Sequence, residues 1–269
     1  MKIGRVCACF VLLILFAGFV SAESVAAGQL SADEIVDKAN IAAYYAGDDG
    51  RATVKMTITD NQGRKRYREF NILRKDDGPD GGEQKFYVYF KRPSDVKGMV
   101  FMVHKHPGKD DDRWLYLPAL DLVKRIAASD KRTSFVGSDF YYEDVSGRGV
   151  DEDEHKLLKS DDKFYLIECR PKDPGSVEFS RYQVWIDKQS FMPVKAEYYD
   201  KENTLYRRVE ALEIKDVQGF PTVLRSRVEN LAAGGKTVSE FSRIKYDIGL
   251  KDDIFTERYL RRPPRQARR

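Results

Sequence analysis

The chain has 269 residues, of which 47 are basic and 43 acidic, and its formal net charge is +4. Five of the basic residues are arginines among the last nine positions, so the rest of the chain is close to neutral and lacks the basic surface typical of nucleic-acid-binding proteins. Two of the three cysteines, Cys7 and Cys9, precede the predicted mature chain, so Cys169 has no partner for an internal disulfide and the fold must depend on a hydrophobic core.

Residues 1–22 have the pattern of a secretory signal peptide. Lys2 and Arg5 precede an apolar run, which ends in the small-x-small sequence Val20-Ser21-Ala22. The alternative is an uncleaved membrane anchor, but the apolar run is short for a spanning helix. We therefore expect an exported protein with one domain over 23–260 and a basic, disordered tail over 261–269. The tail is either a solubilising terminus or a segment that makes transient contact with anionic head groups.

Ser31 and Glu34 form a capping-box pattern that predicts a helix over 31–45. From Arg51 onward the apolar pattern has a period of two, which predicts about ten strands joined by short turns, with little helix between them. The predicted strands cover 53–59, 67–73, 85–90, 99–104, 114–117, 164–168, 182–186, 194–199, 206–214, 222–228 and 237–246. The expected fold is mainly β (α+β), a large antiparallel sheet with a few covering helices.

The stretch from Asp112 to Val145 combines a short strand, which Pro118 ends, with a polar loop and a cluster of aromatic residues. Gly137 interrupts that cluster, and we expect it to adopt a backbone angle that other residues resist. So much aromatic surface without a regular period indicates a lid or rim rather than a core strand. The aromatic residues of the cluster are Phe135, Phe140, Tyr141 and Tyr142.

Bulky residues occupy both faces of several predicted strands. In the third strand, Phe86, Val88 and Phe90 point one way, and Tyr87 and Tyr89 point the other. A one-sided antiparallel sheet should have one polar face. Two explanations stay open: both faces are covered and the core is filled, or the sheet curves and its concave face lines a cavity.

Residue types that commonly carry catalysis are poorly arranged. His104 and His106 near Asp110–Asp112 lack a confident third metal ligand, and charge runs are usually solvated loops. Cys169 has no neighbouring histidine, and Ser138 does not stand in a nucleophile-elbow sequence. The sequence has no glycine-rich phosphate loop. We therefore expect no metal, no cofactor and no enzymatic activity.

Three carboxylates of the lid region could form an acid–base pair, but capping and ion pairing with nearby arginines is the simpler explanation. The predicted lid-pairing residues are Arg125, Arg132, Asp139, Glu143 and Asp144.

The motif W-x-Y-x-P, followed by Lys124-Arg125-Ile126 and by F-x-G-S-D-F-x-Y-E-D, resembles the outer membrane lipoprotein-sorting protein family. That family is similar to the periplasmic lipoprotein carrier LolA. The resemblance implies a half-barrel whose hydrophobic cavity is closed by helices, in a periplasmic protein that moves acyl chains of a lipid or lipoprotein between the two membranes. It also implies an RND-type inner-membrane transporter as a partner. A periplasmic adaptor of such an exporter, with a filled core and no lipid cargo, is the alternative.

The resemblance directs the choice of binding residues to the aromatic strands and the lid. The predicted lipid-binding residues are Phe86, Val88, Phe90, Trp114, Tyr116, Leu117, Phe135, Phe140 and Tyr141. Apolar burial would hold the acyl chain without any specific polar contact.

Overall fold

Thirteen antiparallel strands form one curved, unclosed sheet in a computed structural model, which describes residues 30–269. The predicted signal peptide over 1–22 lies outside the described residues. The strands are β1 (Asp49–Thr59), β2 (Lys65–Asp77), β3 (Glu83–Arg92), β4 (Val100–Lys105), β5 (Asp112–Leu117), β6 (Leu122–Arg125), β7 (Asp153–Ser160), β8 (Phe164–Pro171), β9 (Arg181–Asp187), β10 (Pro193–Tyr199), β11 (Leu205–Val217), β12 (Phe220–Asn230) and β13 (Gly235–Tyr246). The prediction of a large antiparallel sheet is confirmed.

The order of the strands joins the two halves of the chain at the middle of the sheet. Strands β1 to β6 follow one another outward in one direction, and β13 to β7 in the other, while β1 pairs with β13. The two edges are therefore β6 and β7. The sequence did not predict β7, because charged residues alternate with half-buried ones along it and the apolar pattern is weak.

The helices are few and short. They are α1 (Ala32–Tyr44), α2 (Glu143–Ser146), α3 (Glu257–Arg261) and α4 (Arg265–Arg268). The capping box of α1 is confirmed, because the Ser31 hydroxyl accepts from the Glu34 amide at 3.2 Å and the Glu34 carboxylate accepts from the Ser31 amide at 2.8 Å. Among residues 30–269, no helix has the length and apolar composition needed to cross a membrane.

The sheet has two covered faces, and β3 shows the alternation between them. Phe86, Val88 and Phe90 belong to the core on one side, which we call the cavity face. Tyr87 belongs to a second core on the other side, which we call the back face. The predicted alternation along β3 is confirmed. Helix α1 and a segment over residues 127–149, which we call the lid segment, cover the cavity face, so bulky residues are required on both faces.

The C-terminal segment covers the back face. The Tyr87 hydroxyl donates to the Tyr259 carbonyl at 2.6 Å, and the Asn71 side-chain amide donates to the Ala267 carbonyl at 2.8 Å. Leu260 and Ala267 are fully buried. The predicted disorder of residues 261–269 is therefore wrong, because Ala267 seats α4 against β2 and β3 while the surrounding arginines stay exposed.

Candidate binding cavity

The lid segment has little regular structure but many internal hydrogen bonds. The Phe135 amide donates to the Phe140 carbonyl at 2.7 Å, and the Ser138 hydroxyl donates to the Phe135 carbonyl at 2.7 Å. Gly137 has a φ of 74°, which confirms the prediction that this glycine takes a backbone angle other residues resist. These contacts form a tight turn, which presents Phe135 and Phe140 to the sheet.

Phe135 is the centre of the packing under the lid segment. Its ring lies 5.5 to 6.1 Å from the rings of four aromatic neighbours and is 2% exposed. These neighbours are Phe70, Phe90, Phe101 and Tyr142. Over β2 to β5 the cavity face is therefore a filled aromatic core.

Beside this core the sheet is not filled. A cavity of about 290 Å³ lies between the last turn of α1, the lid segment and strands β1, β2, β3, β12 and β13. Its wall is mostly apolar, and the few polar groups on it include Arg74, Thr222 and Tyr246. The two explanations that the sequence left open are both realised, in neighbouring parts of the same face. The apolar wall residues include Ala42, Ala43, Ala52, Val54, Met56, Phe70, Ile72, Phe86, Val88, Phe135, Phe140, Val145, Met192, Val223, Phe241 and Ile244.

Four of the nine predicted lipid-binding residues line this cavity: Phe86, Val88, Phe135 and Phe140. Phe90 is fully buried in the adjacent aromatic core, and Leu117 packs at the periphery of that core. Tyr141 lies outside the cavity lining, with its ring between the guanidinium groups of Arg132 and Arg207.

Trp114 and Tyr116 were predicted at the cavity rim, but the structure places both on the back face. The alternation of β5 directs Leu115 and Leu117 to the cavity side and the two aromatic rings to the opposite side. There the Trp114 ring contacts the imidazole of His104, with 5.0 Å between centroids. The two large side chains therefore pack in the same core as the C-terminal segment.

The local sequence pattern did not reveal the contributions of α1, β12 and β13 to the cavity. Ala42 and Ala43 come from the last turn of α1, and Val223 and Phe241 come from strands that lie far along the chain from β1. The apolar stripe of α1 was a visible signal for the two alanines. The pairing of β1 with β13 left no signal in the local pattern.

A buried ion-pair cluster holds the lid segment in place. Glu143 is 2% exposed and pairs with Arg132, with Lys131 at 3.3 Å and with Arg148 at 3.5 Å. Burial alone would raise the pKa of Glu143, but the three cations, Arg132 foremost, hold it below its usual value. The Arg132 guanidinium also donates to both carboxylate oxygens of Glu178, each at 2.8 Å. The cluster therefore joins the lid segment to the loop before β9.

Two further polar contacts connect the lid segment to the sheet. Asp144 pairs with the buried Arg207 of β11 at 2.5 Å, and the Asp139 carboxylate accepts from the Thr237 hydroxyl of β13 at 2.6 Å. Arg125 does not take part, because it pairs with Asp112 and lies over Trp114. The structure thus brings together four of the five predicted pairing residues around the lid segment, each with a polar partner.

Other reactive groups are in inert surroundings. Burial raises the pKa of the Cys169 thiol to about 12, which keeps it protonated. Burial lowers the pKa of His104, and its Nε2 lies 2.8 Å from the Phe255 carbonyl. Within residues 30–269, histidine, cysteine and carboxylate side chains form no cluster of three suited to a metal. The expectation that the protein is not an enzyme stays a prediction.

Comparison with known proteins agrees with this architecture. A model for a family of uncharacterized proteins matches residues 82–262. A solved DUF1329 family protein from Desulfovibrio piger is 33% identical, with a TM-score of 0.74 over 80% of this chain and 92% of that one. The chain belongs to the DUF1329 family. No curated protein matches this chain in sequence.

Two further solved structures are similar to this chain over most of its length. A domain assigned as an outer membrane lipoprotein-sorting protein from Vibrio parahaemolyticus is 28% identical, with a TM-score of 0.78 over 86% of this chain and 98% of that one. A LolA superfamily protein from Nitrosomonas europaea is 20% identical, with a TM-score of 0.65 over 86% of this chain and its own full length. The second likeness shows the fold alone. The resemblance found in the sequence is confirmed.

Proposed function

We propose that this protein is a periplasmic carrier that binds an acyl chain of a lipid or lipoprotein in the cavity between the sheet, α1 and the lid segment. The observation that supports this proposal is the apolar cavity itself, which lies on the same sheet face as the filled aromatic core. The similarity to a lipoprotein-sorting domain favours a carrier in the periplasm. We propose Phe86, Val88, Phe135 and Phe140 as direct contacts of the chain.

The volume of the cavity limits the size of the proposed cargo. A volume of about 290 Å³ is just below the roughly 300–1,000 Å³ found for small-molecule pockets. It suits a single acyl chain better than the several chains of a lipoprotein held together. A larger cargo would require the lid segment to move away from the sheet.

The polar contacts of the lid segment suggest how the cargo is kept and released. Asp144, Asp139 and Glu143 hold the lid segment by ion pairs and hydrogen bonds, and their partners lie outside the cavity lining. Of the three carboxylates, only Asp144 lines the cavity. Burial of methylene groups supplies the affinity, so opening the lid is sufficient for release. The family resemblance adds an RND-type inner-membrane transporter as the proposed donor or acceptor.

The length dependence of fatty-acid binding tests the proposal. Each methylene removed from water contributes about 0.8 kcal/mol, so affinity should rise about fourfold per carbon and then level off when the cavity is full. Displacement of a fluorescent fatty acid by saturated fatty acids of increasing length measures this series. No displacement at any length, or affinity that rises without a plateau, would contradict a cavity of this size.

A matched pair of tryptophan variants separates cavity binding from surface binding. Ala42→Trp fills the cavity from α1, whereas Ala232→Trp adds the same ring to the exposed turn after β12. We expect the first variant to lose fatty-acid binding and the second to keep it. Equal binding by both variants would favour the alternative, an adaptor whose interior takes no lipid.

A further inference from the structure

The hairpin between β5 and β6 exposes two leucines at one edge of the sheet, outside the cavity lining. Leu120 is 70% exposed and Leu122 is 45% exposed, and only Asp121 separates them. The other strongly exposed large apolar side chains of the described residues stand far apart in sequence: Tyr67, Leu158, Leu212 and Leu231. Isolated apolar side chains on a surface are ordinary, but a pair at the tip of one hairpin is a patch.

A strongly basic segment lies against this hairpin. Residues 258–269 contain six arginines and no acidic residue, and all six arginines are exposed. The guanidinium of Arg261 lies 3.0 Å from the Asp121 carboxylate and 5.9 Å from the centre of the Tyr116 ring, so α3 lies beside the hairpin. That ion pair also offsets the one acidic charge between the two leucines.

The other arginines of this segment keep their charge available. No acidic side chain lies within ion-pair distance of Arg258, Arg262, Arg265 or Arg268 in the part of the chain that the structure describes. Buried Leu260 and Ala267 hold α3 and α4 on the back face, so the guanidinium groups are presented by an ordered support rather than by a loose tail.

We propose that the β5–β6 hairpin tip and the arginines of α3 and α4 form a docking surface for membranes that contain anionic phospholipid. The leucines enter the interface between head groups and acyl chains, and the arginines contact lipid phosphates. Two leucines provide far less than the roughly 800 Å² per partner of a stable protein interface. One weak apolar anchor combined with a polybasic patch is sufficient for reversible membrane attachment.

This inference goes beyond the carrier function and does not depend on it. The hairpin and the arginines are absent from the cavity lining, so loss of membrane docking and loss of acyl-chain binding can be measured separately. For a carrier, such a surface would place the protein on the membrane where its cargo is exchanged.

Vesicle co-sedimentation of the full protein tests the proposal. The vesicles are pure phosphatidylcholine or equal parts phosphatidylcholine and phosphatidylglycerol. We expect binding to the anionic vesicles only, and its loss in about 1 M salt, where the Debye length is about 3 Å. No binding to anionic vesicles would overturn the proposal. Equal binding to both vesicle types would also overturn it.

Paired variants locate the surface. Arg258→Gln with Arg262→Gln should weaken binding roughly 25-fold, since each basic residue near an anionic surface contributes about fivefold. Lys156→Gln with Lys236→Gln, at exposed sites on β7 and β13, is the charge-matched control and should bind normally. A loss as large in the control as in the arginine pair would contradict a local docking surface.

The leucines have their own matched control. Leu120→Ser with Leu122→Ser should weaken vesicle binding roughly tenfold, and Leu158→Ser with Leu212→Ser should leave it unchanged. Fatty-acid displacement by both variants serves as the fold check, because neither pair touches the cavity. Unchanged vesicle binding of the hairpin variant would show that the leucines do not insert.

Discussion

Replacement of Phe135 by alanine tests whether the lid segment is packed on the sheet as the structure shows. Phe135 is the residue of the lid segment with the most aromatic contacts, and its ring is in contact range of Phe70, Phe90, Phe101 and Tyr142. Those four rings come from β2, β3, β4 and the lid segment itself. Removing the central ring therefore removes the aromatic contacts that Phe135 makes with three strands.

The expected loss of folding free energy in Phe135→Ala follows from the burial of the ring. Substitution of a buried phenylalanine by alanine costs about 3–5 kcal/mol, and the cost is highest where the surroundings cannot collapse. Three of the four neighbouring rings are fixed on paired strands, so we expect about 4 kcal/mol. That is a large part of the roughly 5–15 kcal/mol by which native proteins are usually stable.

Urea unfolding measures this loss, with Phe220→Ala as the control. Phe220 is half-buried and has one aromatic neighbour, Tyr246 at 5.1 Å, so its loss should cost only about 1–2 kcal/mol. Hydrogen exchange should also accelerate throughout residues 127–149 in Phe135→Ala and not in Phe220→Ala. Equal costs for the two variants, with unchanged exchange in the lid segment, would refute the packing described for Phe135.

Three further predictions concern charge, a thiol and the C-terminal helix. Because the cations around Glu143 lower its folded pKa below 4.5, the stabilisation it provides is present above that pH and is lost as the pH falls through the folded pKa. Glu143→Gln should therefore lower the stability by about 3 kcal/mol at pH 7 and by progressively less in acid, in urea titrations at each pH; a constant difference would contradict the ion-pair cluster. Cys169, with its pKa raised to about 12, should react with a thiol reagent only at the rate of unfolding, and rapid labelling of the native protein would contradict its burial. Ala267→Glu should dislodge α4 and speed tryptic cleavage at the C-terminal arginines, whereas the exposed neighbouring Gln266→Glu should not; equal cleavage rates would show that α4 is not seated.

The sequence was sufficient for those features that local patterns specify. The capping box located α1, the alternation of Phe86, Tyr87 and Val88 identified the two faces of β3, and Gly137 marked the turn of the lid segment. Each of these features depends on residues within a few positions of one another, where side-chain direction and backbone preference are decided.

What the sequence could not show depends on contacts between distant segments. Trp114 and Tyr116 have the same alternating pattern whichever face covers them, and only the docking of residues 250–267 shows that they pack on the back face. The C-terminal segment is rich in arginine and proline, and its few apolar residues, such as Leu260 and Ala267, form no periodic pattern. An ordered segment was therefore predicted to be disordered. Similarly, β13 contributes Phe241 to the cavity only because it pairs with β1.

Native mass spectrometry of the protein purified from the periplasm, with extraction of bound lipid, tests the central claim most directly. We expect a bound species with one acyl chain on the unaltered protein and on Ala232→Trp, and its absence from Ala42→Trp. A mass without ligand for the unaltered protein, together with no uptake of added fatty acid, would contradict a carrier that holds an acyl chain in this cavity.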